Sequence, residues 1–257
     1  MHPVDDADTL RQSFGEIAAA YDRFRPGPPL EAVQWLLPAR AVDILELGAG
    51  TGALTRLLVE QFAHVRAVEP DPRMRAVCRE RVPRAEIVAG QAESIPAEDA
   101  SFDAVIAASS WHWVDEDLAL PEVARVLRPG GTFALLWSGA DRSVAWMRSL
   151  WTGGKELTAE EIEALDSHRR ERHTVQLRAA SPFLEPERRV IRWTRFMTRE
   201  ELVGMAGTYS AVITMRAAAR REYLDSLARY LEQAAVPLHE GLVAVPMRCR
   251  CWRTTRR

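Results

Sequence analysis

Apolar and polar positions along the chain fall into two regimes. From Val42 to Ala140, short apolar runs of strand length alternate with stretches in which apolar residues recur every three or four positions. The runs predict strands at 42–47, 64–69, 85–89, 102–107 and 132–137, and the helical spacings predict helices near 53–61, 72–81 and 116–127. Such an alternation builds a parallel, doubly wound sheet with right-handed crossovers. Ahead of it, residues 8–24 read as an amphipathic helix on which Leu10, Phe14, Ile17 and Tyr21 share a face and Asp8 or Thr9 supplies the cap. A second helix follows Gly27-Pro28-Pro29, through Leu30, Val33 and Leu37. Beyond Trp137 the regular pattern stops. Residues 141–180 read as helical and charged, with Glu156, Glu160, Glu161 and Glu163 as a solvated face. Arg188–Met197 alternates as a strand, 199–206 and 216–234 read as helices, and Leu242–Trp252 reads as a closing strand.

The stretch that organises this pattern is Val42-Asp-Ile-Leu-Glu-Leu-Gly-Ala-Gly-Thr-Gly52. An apolar strand runs into three glycines at alternate positions, and a helix follows. Backbone without Cβ atoms can approach a bound nucleotide closely in that arrangement. Gly48-Ala-Gly50-Thr-Gly-Ala53 also satisfies the loose dinucleotide pattern G-x-G-x-x-G/A, so a nicotinamide-dependent oxidoreductase stands as one reading. Glu46 argues against it, because a carboxylate near the end of the first strand repels a pyrophosphate and attracts an amino group or a sulfonium. Glu69 closes the next apolar run, where an acid can accept hydrogen bonds from ribose hydroxyls. Asp71 and Pro72 then open a helix as N-cap and first residue. Glu46, Glu69, Gln91–Glu93 and Ser109–Trp113 all fall at strand ends, which is where such sheets bind ligands.

Several segments in order carry a family likeness: Ile44–Gly52, Val68-Glu-Pro-Asp71, Ala89-Gly-Gln-Ala-Glu-Ser-Ile-Pro96, Ser109-Ser-Trp-His-Trp-Val-Asp115 and Arg125-Val-Leu-Arg-Pro-Gly-Gly131. The series resembles the class I S-adenosylmethionine-dependent methyltransferases, of the small-molecule kind that includes trans-aconitate methyltransferase-like proteins. That resemblance implies S-adenosyl-L-methionine as cofactor and a seven-stranded Rossmann-like sheet with an antiparallel C-terminal hairpin and a partial helical lid. It further implies that Glu46 and the loop of Gly48, Ala49, Gly50 and Gly52 hold the methionyl end. Glu69 takes the ribose hydroxyls, Gln91, Ala92 and Glu93 lie along the adenine, and Pro70 and Ser109 complete the cofactor set. Tyr21-Asp-Arg-Phe-Arg25-Pro26 resembles the segment that closes over the cofactor, with Tyr21 and Arg25 touching the methionyl carboxylate or the substrate. A single domain over residues 1–257 is implied: a lid segment at 1–28, a cofactor core at 42–140, lid and substrate-side elements at 141–242 and a closing strand at 243–257. A protein of the same fold performing a non-methylating reaction on the same cofactor is the alternative within the family.

Composition narrows the partners. A hydrophobic fraction of 47% supports an ample core, and a net charge of −2 offers no general attraction to nucleic acid or anionic membranes. The arginines near the end (Arg248, Arg250, Arg253, Arg256 and Arg257) are explained by strand placement and a frayed, charged terminus. No apolar run has the length of a membrane span, and no secretory apolar region stands at the N-terminus. Cys78, Cys249 and Cys251 lack metal-ligand spacing and read as packing thiols, so a cytoplasmic protein without metal is expected, and the resemblance implies an enzyme acting on a small molecule, with a monomer or homodimer expected. Of six histidines only His112, between Trp111 and Trp113 after the fourth strand, stands where it can orient or deprotonate an acceptor. Trp111, Trp113 and Tyr209, within the polar interruption Gly207-Thr-Tyr-Ser210, are the substrate-side candidates.

Overall fold

The computed structural model describes residues 17–152, 158–172, 175, 177 and 181–257, without the side chains of 165, 166 and 168–172. Residues 8–16 of the expected first helix, and the Asp8 or Thr9 cap, lie outside the described residues. What is described of it, α1 (Ala18–Phe24), is followed by α2 (Leu30–Leu36).

Five strands then alternate with helices: β1 (Asp43–Leu47), α3 (Thr55–Gln61), β2 (His64–Val68), α4 (Pro72–Arg81), β3 (Glu86–Val88), β4 (Phe102–Ala108), α5 (Glu116–Val126) and β5 (Leu127–Ala140). The second half contributes α6 (Ala145–Trp151), α7 (Ala159–Arg172), β6 (Glu187–Met197), α8 (Arg199–Ala206), α9 (Ser210–Ile213), α10 (Ala217–Gln233), β7 (Leu238–His239) and β8 (Leu242–Thr255). The sheet order is β3-β2-β1-β4-β5-β8-β6. The first five strands are parallel, and β8 runs antiparallel to β5 on one side and to β6 on the other. A strand of two residues, β7, adds to β8 and brings the sheet to eight strands where seven were expected. β5 is longer than the expected 132–137, because Leu127 pairs with Phe102 before the Pro129-Gly-Gly131 turn and residues 138–140 run past β4 to pair with Met247–Cys249 of β8.

Two apolar layers sandwich the sheet. On one face Leu45, Leu47, Val105 and Phe133 pack under Val123 and Val126 of α5. On the other, Ile44, Val65, Ile106 and Leu136 pack under Val33 and Leu36 of α2 and Leu58 of α3. A third cluster builds the second half, with Met147 and Leu150 of α6, Leu202 of α8 and Leu227 of α10 against Val245 and Met247 of β8. Thr198 and Glu201 cap α8 reciprocally, each side chain accepting the other's backbone N–H.

Chain order reverses between β1 and β4, so the switch point of the sheet lies at their carboxyl ends. Among the described residues no helix is long and apolar enough to cross a membrane. The C-terminus is not frayed, contrary to expectation. Arg256 exchanges backbone hydrogen bonds with Gly130 and Gly131, Arg253 pairs with Glu187, and the Arg256 and Arg257 guanidinium groups donate to the Leu127 and Phe183 carbonyls. Cys249 and Cys251 are buried free thiols with sulfurs 3.7 Å apart, as packing residues on one face of β8.

Candidate functional site

A cavity of about 500 Å³ opens at the switch point. Its floor is the turn after β1 and its walls are the segments after β2, β3 and β4. Backbone conformation explains the floor. Gly48 and Gly50 sit at φ +70° and +59°, in the left-handed region that a side chain disfavours. A Cβ on Gly48 would lie 2.6 Å from the Ser110 Cβ, whereas one on Gly50 would meet nothing within 4 Å. Gly50 thus presents bare backbone to open space, a cradle that a ligand can fill.

The wall after β2 is held by Glu69, which is 7% exposed. The Gly50 N–H donates to its Oε2 at 2.7 Å and the Asp71 N–H to its Oε1 at 2.9 Å. Each carboxylate oxygen keeps a second lone pair, so two ligand hydroxyls can still be accepted. Burial raises the pKa of this acid, against the pull of those two backbone donors. Asp71 caps α4 by accepting from the Arg73 and Met74 N–H groups, and Arg75 donates to the Glu69 and Pro70 carbonyls. The turn carrying Glu69 is therefore fixed from both sides.

Gln91, Ala92 and Glu93 line the next wall, and Glu93 accepts the Asp115 N–H at 3.0 Å. After β4, Ser109 takes φ +54°, a strained setting for a non-glycine residue. Its neighbour Ser110 donates to the Leu47 carbonyl and ties β4 to the glycine turn. Trp111 and Trp113 of the 3₁₀ turn 111–113 also line the cavity, Trp111 anchored by its indole N–H on Glu116 at 2.9 Å. Tyr21 of α1 closes the near side.

Of the residues singled out from the sequence, Tyr21, Gly48, Gly50, Glu69, Pro70, Gln91, Ala92, Glu93, Ser109, Trp111 and Trp113 come together on this cavity. Ala49, Gly52, Glu46, Arg25, His112 and Tyr209 are not among its lining residues. Side chains alternate along β1, so Glu46 shares the face of Ile44 and points under α3 rather than toward the cavity. There, 1% exposed, it accepts the Thr55 hydroxyl at 2.6 Å. Burial pushes its pKa up to about 8. From there it braces the loop through Thr55, at the start of the helix that follows the glycine turn. His112 stacks at a tilt on Trp113, ring centres 4.6 Å apart. Asp71, Pro72, Arg73, Met74 and Val114 line the cavity without having been singled out for it, although the N-cap reading of Asp71 already placed the start of α4 there. No group of three or more potential ligands is placed to hold a metal ion among the described residues.

The buried Glu46 makes stability depend on pH. The folded state keeps its proton up to about pH 8, while the unfolded chain releases it near 4.5. Stability contributed by this group is full below 4.5 and is lost as pH rises through 8, by up to about 1.4 kcal/mol per pH unit. Glu46→Gln keeps an acceptor for Thr55 and cannot ionise. Urea denaturation between pH 5 and 8.5 should show a flatter profile in this variant; a slope equal to wild type would place the titrating group elsewhere.

Comparison with known proteins gives a consistent result. Residues 45–135 match the family described as "Methyltransferase domain". The chain is 40% identical over 243 residues, 95% of each protein, to an uncharacterised methyltransferase of Mycobacterium tuberculosis. It is 32% identical over 147 residues, 54% of this chain and 58% of the other, to a malonyl-(acyl-carrier-protein) O-methyltransferase of Pectobacterium atrosepticum. A solved chain from Anaeromyxobacter dehalogenans, to which a type II methyltransferase activity is ascribed, superposes with a TM-score of 0.59 at 28% identity, covering 91% of this chain and 98% of that one.

Proposed function

Because this chain belongs to the class I S-adenosylmethionine-dependent methyltransferases, we propose that it transfers the cofactor's methyl group to a small-molecule acceptor held between the strand ends and the helices of the second half. The observation that carries the reading is Glu69: a nearly buried acid on the cavity wall, fixed by two backbone donors, with two acceptor positions left. The residues fit the cofactor. A volume of about 500 Å³ is in the range of small-ligand sites, and the open backbone at Gly50 suits the methionyl end. In this assignment Glu69 holds the ribose, Gln91, Ala92 and Glu93 border the adenine, and Tyr21 covers the methionyl chain.

S-adenosylmethionine, when bound, supplies a methyl group already activated by the positive sulfur. The chain's own contribution is then to orient the acceptor in line and to exclude water, which alone accounts for large accelerations. Tyr21 and Trp113, both lining the cavity, shield the reacting region, and an aromatic face beside a sulfonium is favourable. His112 lies outside the lining, so it serves better as a positioning residue beneath Trp113 than as a base. We assign the acceptor atom to oxygen, nitrogen or carbon without further choice, and the enzyme to the cytoplasm as monomer or homodimer, acting on neither nucleic acid nor membrane. Among these acceptors oxygen has a precedent in the relative named as a malonyl-(acyl-carrier-protein) O-methyltransferase.

The test is a melting comparison of three ligands. S-adenosylmethionine or S-adenosylhomocysteine at about a hundred times its dissociation constant should add roughly 2.7 kcal/mol of stability, and NAD none. Stabilisation by NAD with none by either sulfur nucleotide would replace the proposal with the oxidoreductase reading.

A further inference from the structure

Arg25 sits on the run that resembles the cofactor lid, yet its hydrogen bonds go to Thr208 in the second half of the chain. Its Nε donates to the Thr208 hydroxyl at 2.9 Å and its Nη2 to the Thr208 carbonyl at 3.1 Å. Thr208 is itself buried and fixed, its hydroxyl donating to the Met205 carbonyl. One edge of the guanidinium is thus used to lock its plane. Among the described residues the Nη1 edge has no hydrogen-bond partner and no carboxylate pairs with Arg25.

What surrounds that edge is aromatic and rich in donors. The Arg25 guanidinium lies 4.0 Å over the Tyr209 ring and 5.3 Å over the Tyr21 ring. Trp151 meets Tyr209 edge-on at 4.9 Å, with a buried indole N–H that has no hydrogen-bond partner among the described residues. The Tyr209 hydroxyl rests close over Gly139, where an added Cβ would stand 3.2 Å away, and so reaches the end of β5. The adjacent Ser138 has a buried, unpartnered hydroxyl, and its N–H reaches the Ser109 hydroxyl at 3.4 Å. Tyr21 and Ser109 are cavity-lining residues. The chain of contacts from Tyr21 through Arg25 and Tyr209 to Gly139, Ser138 and Ser109 therefore leaves the cofactor cavity and returns to it.

We propose that this ring is the acceptor subsite and that its ligand is a carboxylate attached to a flat apolar body, seated on the Nη1 edge of Arg25 and the Tyr209 hydroxyl. The inference rests on the methyl-transfer reading above and names its substrate class. Two parallel guanidinium N–H groups match a planar carboxylate bidentately. The Arg25 guanidinium and the Trp151 indole N–H only donate, and the Tyr209 and Ser138 hydroxyls can donate too, which favours a ligand that only accepts. The Trp151 indole N–H and the Ser138 hydroxyl are buried, and leaving them unpaired is unfavourable, so a neutral or cationic ligand gains less here than an anion. The rings of Tyr21, Tyr209 and Trp151 supply the flat apolar contact. Locking of the guanidinium by Thr208 means that little side-chain entropy is lost when the carboxylate arrives.

The experiment uses the full chain saturated with S-adenosylhomocysteine and follows 4-fluorobenzoate, 4-fluorobenzamide and 4-fluorophenyl phosphate by fluorine NMR. The benzoate should bind about tenfold more tightly than the amide and more tightly than the phosphate. Arg25→Gln should weaken the benzoate about tenfold or more, and Tyr209→Phe, which keeps the ring, roughly threefold to tenfold, with S-adenosylhomocysteine affinity within about twofold in both. Equal binding of benzoate and amide, tighter binding of the phosphate, or benzoate binding unchanged in both variants would overturn the assignment. A tenfold loss of S-adenosylhomocysteine affinity in Arg25→Gln would instead give this arginine to the methionyl carboxylate and also overturn it. Failure of the wild-type chain to bind S-adenosylhomocysteine at all is the separate result that removes the methyl-transfer reading beneath it.

Discussion

Replacing Glu69 with glutamine is expected to weaken S-adenosylhomocysteine binding by about 10- to 100-fold, equivalent to roughly 1.4–2.8 kcal/mol. The change is nearly isosteric, yet it is harsh at this position. Both carboxylate oxygens already accept a backbone N–H, from Gly50 at 2.7 Å and from Asp71 at 2.9 Å. An amide must turn its NH₂ toward one of them, placing donor against donor. It also removes the charge that strengthens acceptance from two ribose hydroxyls. Glu69→Ala should weaken binding comparably, although it leaves the two backbone donors bare instead of opposing them. Titration calorimetry on both variants checks this, with melting temperature as the control for folding. Affinity unchanged in both would take Glu69 out of the cofactor site.

Gly48→Ala and Gly50→Ala form the second expectation, and they should fail in different ways. A methyl on Gly48 would sit 2.6 Å from the Ser110 Cβ and 2.7 Å from its hydroxyl, at a φ of +70°. Ser110 cannot yield easily, since it donates to the Leu47 carbonyl and holds β4 against the end of β1. Left-handed strain of about 1–2 kcal/mol and overpacking of about 1–3 kcal/mol together predict a loss near 2–5 kcal/mol, enough to unfold many domains of ordinary stability. At Gly50 the same methyl meets no protein atom within 4 Å. Only the backbone term remains there, so the protein should stay folded, and the methyl should occupy the floor of the cofactor cavity. Denaturant unfolding and S-adenosylhomocysteine titration on the pair separate the effects. The account fails if Gly48→Ala is as stable as wild type, or if Gly50→Ala binds with full affinity.

The parallel half of the fold was legible because each of its determinants is local. Strand runs, the Asp71 cap with Pro72 behind it, and acids at strand ends are all written in short windows, and β1 to β4 and α4 appear within a residue or two of the expected bounds. The position of Glu69 on the cavity wall was legible for the same reason. The placement of Glu46 was less legible, because nearness along the chain to the glycine turn does not show the side-chain alternation that turns it under α3, out of the cavity lining. The acceptor side was least legible. Arg25 meets Thr208 across 183 positions of sequence, and the reach of Tyr209 over Gly139 depends on β5 running on to residue 140 beside β8. β7, two residues long, is created by its pairing with Leu242 and Val243 and has no pattern of its own.

The central claim is that the cavity at the ends of β1 and β4 is the cofactor site, and a crystal structure of the chain with S-adenosylhomocysteine tests it most directly. The predicted density places both ribose hydroxyls within hydrogen-bond distance of the Glu69 carboxylate, the adenine along Gln91 and Ala92, and the homocysteine chain over Gly50 under Tyr21. Density for the ligand elsewhere on the molecule, or in the cavity with the ribose turned away from Glu69, would contradict it.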